Sequence, residues 1–211
     1  MTNAGRSLAV AALYVDPRGP YPSLVTAWYD AERNAMGYDG VLPVVAHPPC
    51  GPWGTMRHLS SGKGHEQDAS CGPRAVEQVR KNGGVLEHPR GSTLFPHAGL
   101  PRPGQLPDAW GGVTFEVCQC DWGRPARKRT WLYVVGISPR KIPPAPAPRE
   151  PTHWASGSRT APRGPVPPGI KVCSAEQRRR TPERFAKWLV AIAERCRAPE
   201  LTALDADLRR K

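Results

Sequence analysis

Three short apolar runs, each closed by a polar break that contains proline, constrain this chain more than any other feature. Residues 8–15 (LAVAALYV) stop at Asp16-Pro17-Arg18-Gly19-Pro20. Residues 41–46 (VLPVVA) stop at His47-Pro48-Pro49-Cys50-Gly51-Pro52-Trp53, and Val85-Leu86 stops at Glu87-His88-Pro89. Such runs fall far short of the roughly 18 apolar residues that a membrane helix needs. Bounded by residues that cannot continue a ladder, they predict buried strands of an open sheet. In such sheets functional groups gather at the carboxyl ends of the strands. A cysteine, a glutamate and two histidines stand at those ends.

The remaining elements follow from the same reading. Residues 23–35 have mixed helical character and predict a helix. Residues 54–70 are polar and read as a mobile loop. Residues 74–82 (RAVEQVRKN) predict a helix stopped by Gly83-Gly84. Residues 113–120 alternate, and 130–137 form another apolar strand, so the two predict a hairpin around a basic turn. Residues 138–170 contain ten prolines, which predicts an extended linker or wrapping arm. Residues 181–197 are the clearest helix, with Thr181 as N-cap, Pro182 at the first helical position and an apolar stripe of Phe185, Trp188, Leu189 and Ile192. Residues 202–211 read as a frayed end. The organisation expected is an α/β catalytic-like domain at 1–137, a Pro-rich arm at 138–170, and a basic helical segment at 171–211 that packs on the domain.

Composition enters through the size of the core and the charge. Leu, Ile, Val and Phe supply 37 of 211 residues, so the core is modest. The net charge is +12, yet residues 1–120 carry 10 basic and 10 acidic side chains. All of the excess lies beyond residue 120, the footprint of a surface that faces a polyanion. Nucleic acid is the expected partner, and Trp122, Trp131 and Trp154 lie among these cations. Trp131 also opens an apolar strand, so a place in the core is open to it. The six cysteines include no CxxC pair and, with no secretory signal, read as reduced thiols. On a strand Cys118 and Cys120 point to the same face. His47, Cys50, His58, His65 and Cys71 match no common zinc spacing, and no metal is expected. A membrane association is not expected either.

Three motifs carry a family resemblance. Pro48-Pro49-Cys50-Gly51-Pro52-Trp53 resembles the Pro-Pro-Cys nucleophile loop of DNA cytosine-5 methyltransferases. Leu86-Glu87-His88-Pro89 resembles that family's Glu-Asn-Pro/Val strand end. Asp121-Trp122-Gly123-Arg124-Pro125-Ala126-Arg127-Lys128-Arg129-Thr130, followed by the apolar 131–136, resembles its Asp-Tyr-Gly-x-Pro…Arg-x-Arg segment. The order and spacing match over residues 41–136, with weaker similarity around Arg180-Thr181-Pro182. The Arg-Lys-Arg-Thr form is similar to that of short, phage-encoded relatives, which implies a phage or prophage setting and the cytoplasm of a bacterial host.

The resemblance implies a reduced Rossmann-like, methyltransferase-type sheet and a Cys50 thiolate that adds to carbon 6 of a flipped-out cytosine in DNA. Glu87 would pair with ring nitrogen 3 and the exocyclic amine, and Lys128, at the first Arg position of the pattern, would hold the base. Thr130 stands where the second Arg would be. Pro49, Trp53, Arg124, Arg127, Arg129 and Thr130 would contact the base or the DNA. The implied cofactor is S-adenosylmethionine, but the loop after the first strand has one glycine and three prolines in place of a glycine-rich cradle. Asp16 and Asp30 are the candidate cofactor-binding acids, and Asp30 or Asp39 would serve as the ribose acid, although no motif places them. The family's large target-recognition domain is missing, and a partner subunit is one way to complete the protein. Three readings are open: a minimal methyltransferase, a cytosine-modifying enzyme using another electrophile or water, and a non-catalytic DNA-binding protein built on the fold.

Overall fold

Successive residues of a strand point to opposite faces of a sheet, and here both faces are apolar. The computed structural model describes residues 8–55, 57, 65–155, 166 and 168–199. Six strands form the main sheet: β1 Leu8–Leu13, β2 Val25–Tyr29, β3 Val44–Ala46, β4 Gly84–Pro89, β5 Val113–Cys118 and β6 Arg129–Val135. Their order across the sheet is β2-β1-β3-β4-β6-β5. The first four run parallel, and β6 runs antiparallel to both β4 and β5. Four helices are described: α1 His65–Asn82, α2 Leu94–His97, α3 Ala175–Arg179 and α4 Glu183–Ala193. The architecture is α/β, a mixed six-stranded sheet with helices on both faces.

One face presents Val10, Ala12, Val45, Val85, Leu132 and Val134 to Phe185, Trp188, Leu189 and Ile192 of α4. The other presents Ala11, Leu13, Val44, Ala46, Leu86 and Val135 to Ala75, Val76 and Val79 of α1 and Leu94 and Phe95 of α2. Each large aliphatic side chain so buried contributes about 1.5–3 kcal/mol. Gly84, at φ 134°, is required where β4 meets β3, because a Cβ there would overlap the Val44 carbonyl.

Several expectations are corrected. Residues 23–35 do not form a helix: a 3₁₀ turn at Tyr21–Ser23 leads into β2. Val25, Thr26, Trp28 and Tyr29 are β-branched or aromatic, and pairing with β1 overrides any helical preference. The first two connections therefore lack an α-helix. The loop expected at 54–70 is shorter, since α1 begins at His65 and runs through Pro73. Proline inside a helix orphans the carbonyl four residues earlier. That carbonyl, of Ala69, accepts from the Trp53 indole Nε1 at 3.1 Å, a tertiary bond that no local pattern shows.

The β5–β6 hairpin forms as expected, and so does the C-terminal helix with its buried stripe. That helix is shorter than 181–197, and Pro182 rather than Thr181 is its N-cap. Within residues 171–211, expected as a basic helical segment, a separate turn of helix at α3 is held by a Ser174–Gln177 capping box. The part of the Pro-rich segment that is described up to residue 155 lies against the domain. The Pro143 carbonyl accepts from Trp188 Nε1 at 3.0 Å, and Thr152 N donates to the Pro125 carbonyl at 2.9 Å. Where a wholly extended linker or arm is expected, it holds a 3₁₀ turn, Pro139–Lys141, and a two-residue strand β7, His153–Trp154, paired with β8, Lys171–Val172. The end at 202–211 and His58 lie outside the described residues. No helix among the described residues is long and apolar enough to cross a membrane.

Candidate active site

The parallel strands β1, β3 and β4 end at one edge of the sheet, and their polar terminators converge there. His47 extends the β3 ladder by donating from its backbone N–H to the Leu13 carbonyl at 3.0 Å. Pro48 and Pro49 hold the next two residues away from helical conformations. The chain then turns at Cys50, whose carbonyl accepts from Trp53 N at 3.2 Å and Gly54 N at 2.7 Å. Trp53 anchors this turn through Ala69 of α1 and through its own carbonyl, which accepts from both N and Oγ1 of Thr93. Gly72 makes room for the indole, since a Cβ there would lie 2.7 Å from Trp53 Nε1. Cys50 is thus exposed on a loop tied down at both α1 and α2.

Glu87 lies inside β4, opposite Leu132 of β6, with its side chain only 8% exposed. Its Oε2 accepts from His47 Nδ1 at 2.9 Å, while its Oε1 accepts from Gln119 Nε2 at 2.9 Å and faces Lys128 Nζ at 3.2 Å. Burial alone would push this carboxyl up. The Lys128 ammonium, the His47 hydrogen bond and the neighbouring imidazoles outweigh it and hold the pKa well below the usual carboxylate range. Glu87 is therefore an ionised acceptor. Lys128 is fixed beside it because its carbonyl accepts from Gln119 N at 3.0 Å.

The hydrogen-bonded chain extends on the other side of His47. Tyr21 Oη lies 2.5 Å from His47 Nε2. Burial, with the Glu87 charge second, raises the Tyr21 phenol well above its ordinary pKa, so it keeps its proton and donates it. That leaves Nδ1 of His47 as the nitrogen that donates to Glu87. Next to Glu87, on the opposite face of β4, His88 is fully buried, and neither ring nitrogen makes a hydrogen bond of full geometry. Burial lowers its pKa to about 4, although the Glu87 charge and the Pro49 carbonyl favour its protonated form.

The Cys50 thiol feels the same charges. Desolvation around the sulfur pushes its pKa up, Lys128 pulls it down and Glu87 adds to the rise. Cys50, Glu87 and Lys128 are thus brought together as the sequence motifs predict, with Thr130 beneath them. Thr130 is fully buried, and its Oγ1 accepts from Gln119 Nε2 at 3.1 Å.

The other predicted contacts are placed differently. Arg124 is buried and spends its guanidinium on the carbonyls of Arg178 and Arg180, where it holds the α3–α4 junction. Trp53 is a loop anchor whose ring tilts against His97 at 4.8 Å. Pro49 shapes the Cys50 turn. Arg127 and Arg129 lie on the rim, paired with Glu150 and Glu116 and each more than two-fifths exposed. Trp122 is in the core against Phe185 and Trp188, and Trp131 packs edge-on against Phe95. Sequence reading missed Tyr21 and Gln119 and left His47 without this role. The placement of His47 directly at a strand end was its one local signal.

The residues after β1 do not fit the cradle that S-adenosylmethionine would need. Tyr14 occupies the strand end at φ 59° and donates its hydroxyl to Gln78 Oε1 at 2.9 Å. Asp16 accepts from the backbone N–H of Arg18, and Gly19, the loop's one glycine, closes that turn on the Asp16 carbonyl at 2.9 Å. Pro17, Pro20 and Pro22 carry no N–H, and Tyr21 fills the space behind. Asp30, after β2, accepts from Arg33 N at 2.8 Å, and Asp39 lies on the rim of a shallow pocket with Tyr29, Arg33 and Tyr38. Among the described residues no three His, Cys, Asp or Glu side chains are grouped to hold a metal ion.

A comparison of the chain with protein-family models, with curated proteins and with solved structures returns no match.

Proposed function

We propose that this protein modifies a pyrimidine base of DNA, cytosine by its motifs, through covalent addition of Cys50 to carbon 6. The carrying observation is that the cysteine loop, a buried ionised glutamate and a lysine from three separate segments meet at one sheet edge. The mostly parallel sheet, with its site at the carboxyl ends, supports a reduced methyltransferase-type fold, and the cations beyond residue 120 support a DNA partner.

Each residue has a chemical task in this reading. The exposed Cys50 thiol loses its proton to solvent as Sγ bonds to carbon 6. The electron pair displaced from the ring moves toward nitrogen 3, where the Lys128 ammonium donates. Glu87, held as an acceptor, receives a hydrogen bond from the exocyclic amine and orients the ring. Carbon 5 is then nucleophilic. It takes up a proton from water, the original carbon 5 proton leaves, and Sγ is expelled to restore the base. Carbon 6 is sheltered within the duplex stack, so the base must be turned out first. No methyl-transfer step is assigned, because the β1 loop does not fit the donor.

The addition step has a readout that requires no donor. Cytosine-containing DNA incubated with the protein in deuterated water should gain deuterium at carbon 5, and Cys50→Ala should gain none. Nucleoside mass spectrometry of DNA from expressing cells then names any group transferred: a methyl mass, another mass, or uracil from deamination. A second reading, a DNA-binding protein without base chemistry, is favoured by the raised pKa of the Cys50 thiol. It gains if DNA binds while wild type and Cys50→Ala exchange alike.

A further inference from the structure

The base-modifying reading leaves a pair of thiols unexplained. Cys118 ends β5, Cys120 lies in the 3₁₀ turn Gln119–Trp122, and their sulfurs are 2.7 Å apart. Between them stands Gln119, whose amide donates to Glu87 and to Thr130. Cys118 is half-buried and Cys120 is 5% exposed. The Cys120 thiol lies 3.4 Å from the Arg149 carbonyl of the Pro-rich arm. Two sulfurs in contact need little movement to reach bonding distance. They meet in the same conformation in which Gln119 engages Glu87.

We propose that Cys118 and Cys120 are a dithiol site that a small-molecule disulfide oxidises to an intrachain disulfide, stapling Gln119 in the position from which it donates to Glu87. The more accessible Cys118 thiolate attacks one sulfur of the oxidant and expels the first small thiolate. Cys120 loses its proton and attacks the Cys118 sulfur, expelling the second. Two electrons pass from the protein thiols to the oxidant, and two small thiols carry away the protons. Burial, the Cys118 neighbour and the Asp121 charge push the Cys120 thiol up, which suits it to second place. That the Gln119–Glu87 contact serves base chemistry rests on the function proposed above; the staple's formation does not.

The test uses the full chain and glutathione disulfide, followed by alkylation and peptide mapping. The peptide holding Cys118 and Cys120 should lose two hydrogens and refuse the label, and dithiothreitol should restore both. Backbone amides of residues 113–123 should then exchange hydrogen at least about threefold more slowly, because the closed ring opens less often. Cys118→Ser, a near-isosteric change at a half-buried position, should show neither effect and should keep the wild-type exchange rate of the reduced chain. Cys120→Ala supplies a second variant if the first folds poorly. Labelling of both cysteines after oxidation, or a glutathione adduct that stays on Cys118, overturns the site. A disulfide that leaves amide exchange unchanged or faster overturns the stapling. Neither readout needs DNA, so a chain that forms the staple but fails to deuterate cytosine refutes the proposed function alone.

Discussion

The two ends of the sheet edge are built on different plans. At β3, β4 and β6, a buried carboxylate accepts from an imidazole, an ammonium and an amide drawn from three segments. At β1 and β2, the turns close on themselves: Asp16 on Arg18 and Asp30 on Arg33. Charges held under tertiary constraint keep perturbed electrostatics, which functional sites need. Polar groups satisfied within a few residues leave nothing for a ligand to complete. Under the proposed function, the difference teaches that the β3–β4–β6 end would hold and polarise a base, while the turns after β1 offer no comparable groups for a nucleotide-like donor.

The sharpest way to break that contrast is a pair of substitutions, one in each region. Glu87→Gln should lower carbon 5 deuteration by about a hundredfold, the scale of a preorganised electrostatic contact. Arg18→Ala, on the exposed β1 turn, should change it less than about twofold. Equal losses would mean that the β1 loop shares the site after all. Next in size, Leu189→Ala beneath the site should cost about 2–5 kcal/mol in urea unfolding, because it hollows the layer between α4 and the sheet. A cost below about 1 kcal/mol would show that α4 does not support this edge.

The buried imidazole sets a pH dependence of the same region. His88 titrates near 4 when folded and at its ordinary value of about 6.5 when unfolded. Between those values the unfolded chain binds the extra proton. Stability is therefore full above about pH 6.5 and falls as pH drops toward 4, by roughly 2–3 kcal/mol. His88→Leu should flatten that slope in equilibrium unfolding at a series of pH values. An unchanged slope would place the proton uptake elsewhere. The smallest effect belongs to the rim. Arg127→Ala should reduce the slope of log affinity against log salt for DNA by about one unit, and leave stability within about 1 kcal/mol because its ion pair is exposed.

Much of this plan is legible in the chain before it folds. Periodicity and proline punctuation locate β1, β3, β4 and the β5–β6 hairpin, and the strand ends point to Cys50, Glu87 and Lys128. What escapes has a common cause. β2 was hidden because Val25, Thr26, Trp28 and Tyr29 choose strand only when β1 offers its edge. The start of α1 was hidden because Pro73 argues against a helix until Trp53 satisfies Ala69. Arg124 and Trp122 looked like DNA contacts because charge and aromaticity in a basic stretch do not say which way a side chain turns.

The sequence by itself determined where strands stop, which polar groups stand at their ends, and where the positive charge lies, since these depend on residue type and near neighbours. Only the tertiary structure decided that Tyr21, His47, Glu87, Gln119 and Lys128 form one hydrogen-bonded and ion-paired chain. These partners lie as far as 107 positions apart from Tyr21 to Lys128, and hydrogen bonds and ion pairs act over about 3 Å. Only the stacking of β1, β3, β4 and β6 in one sheet brings them within that reach.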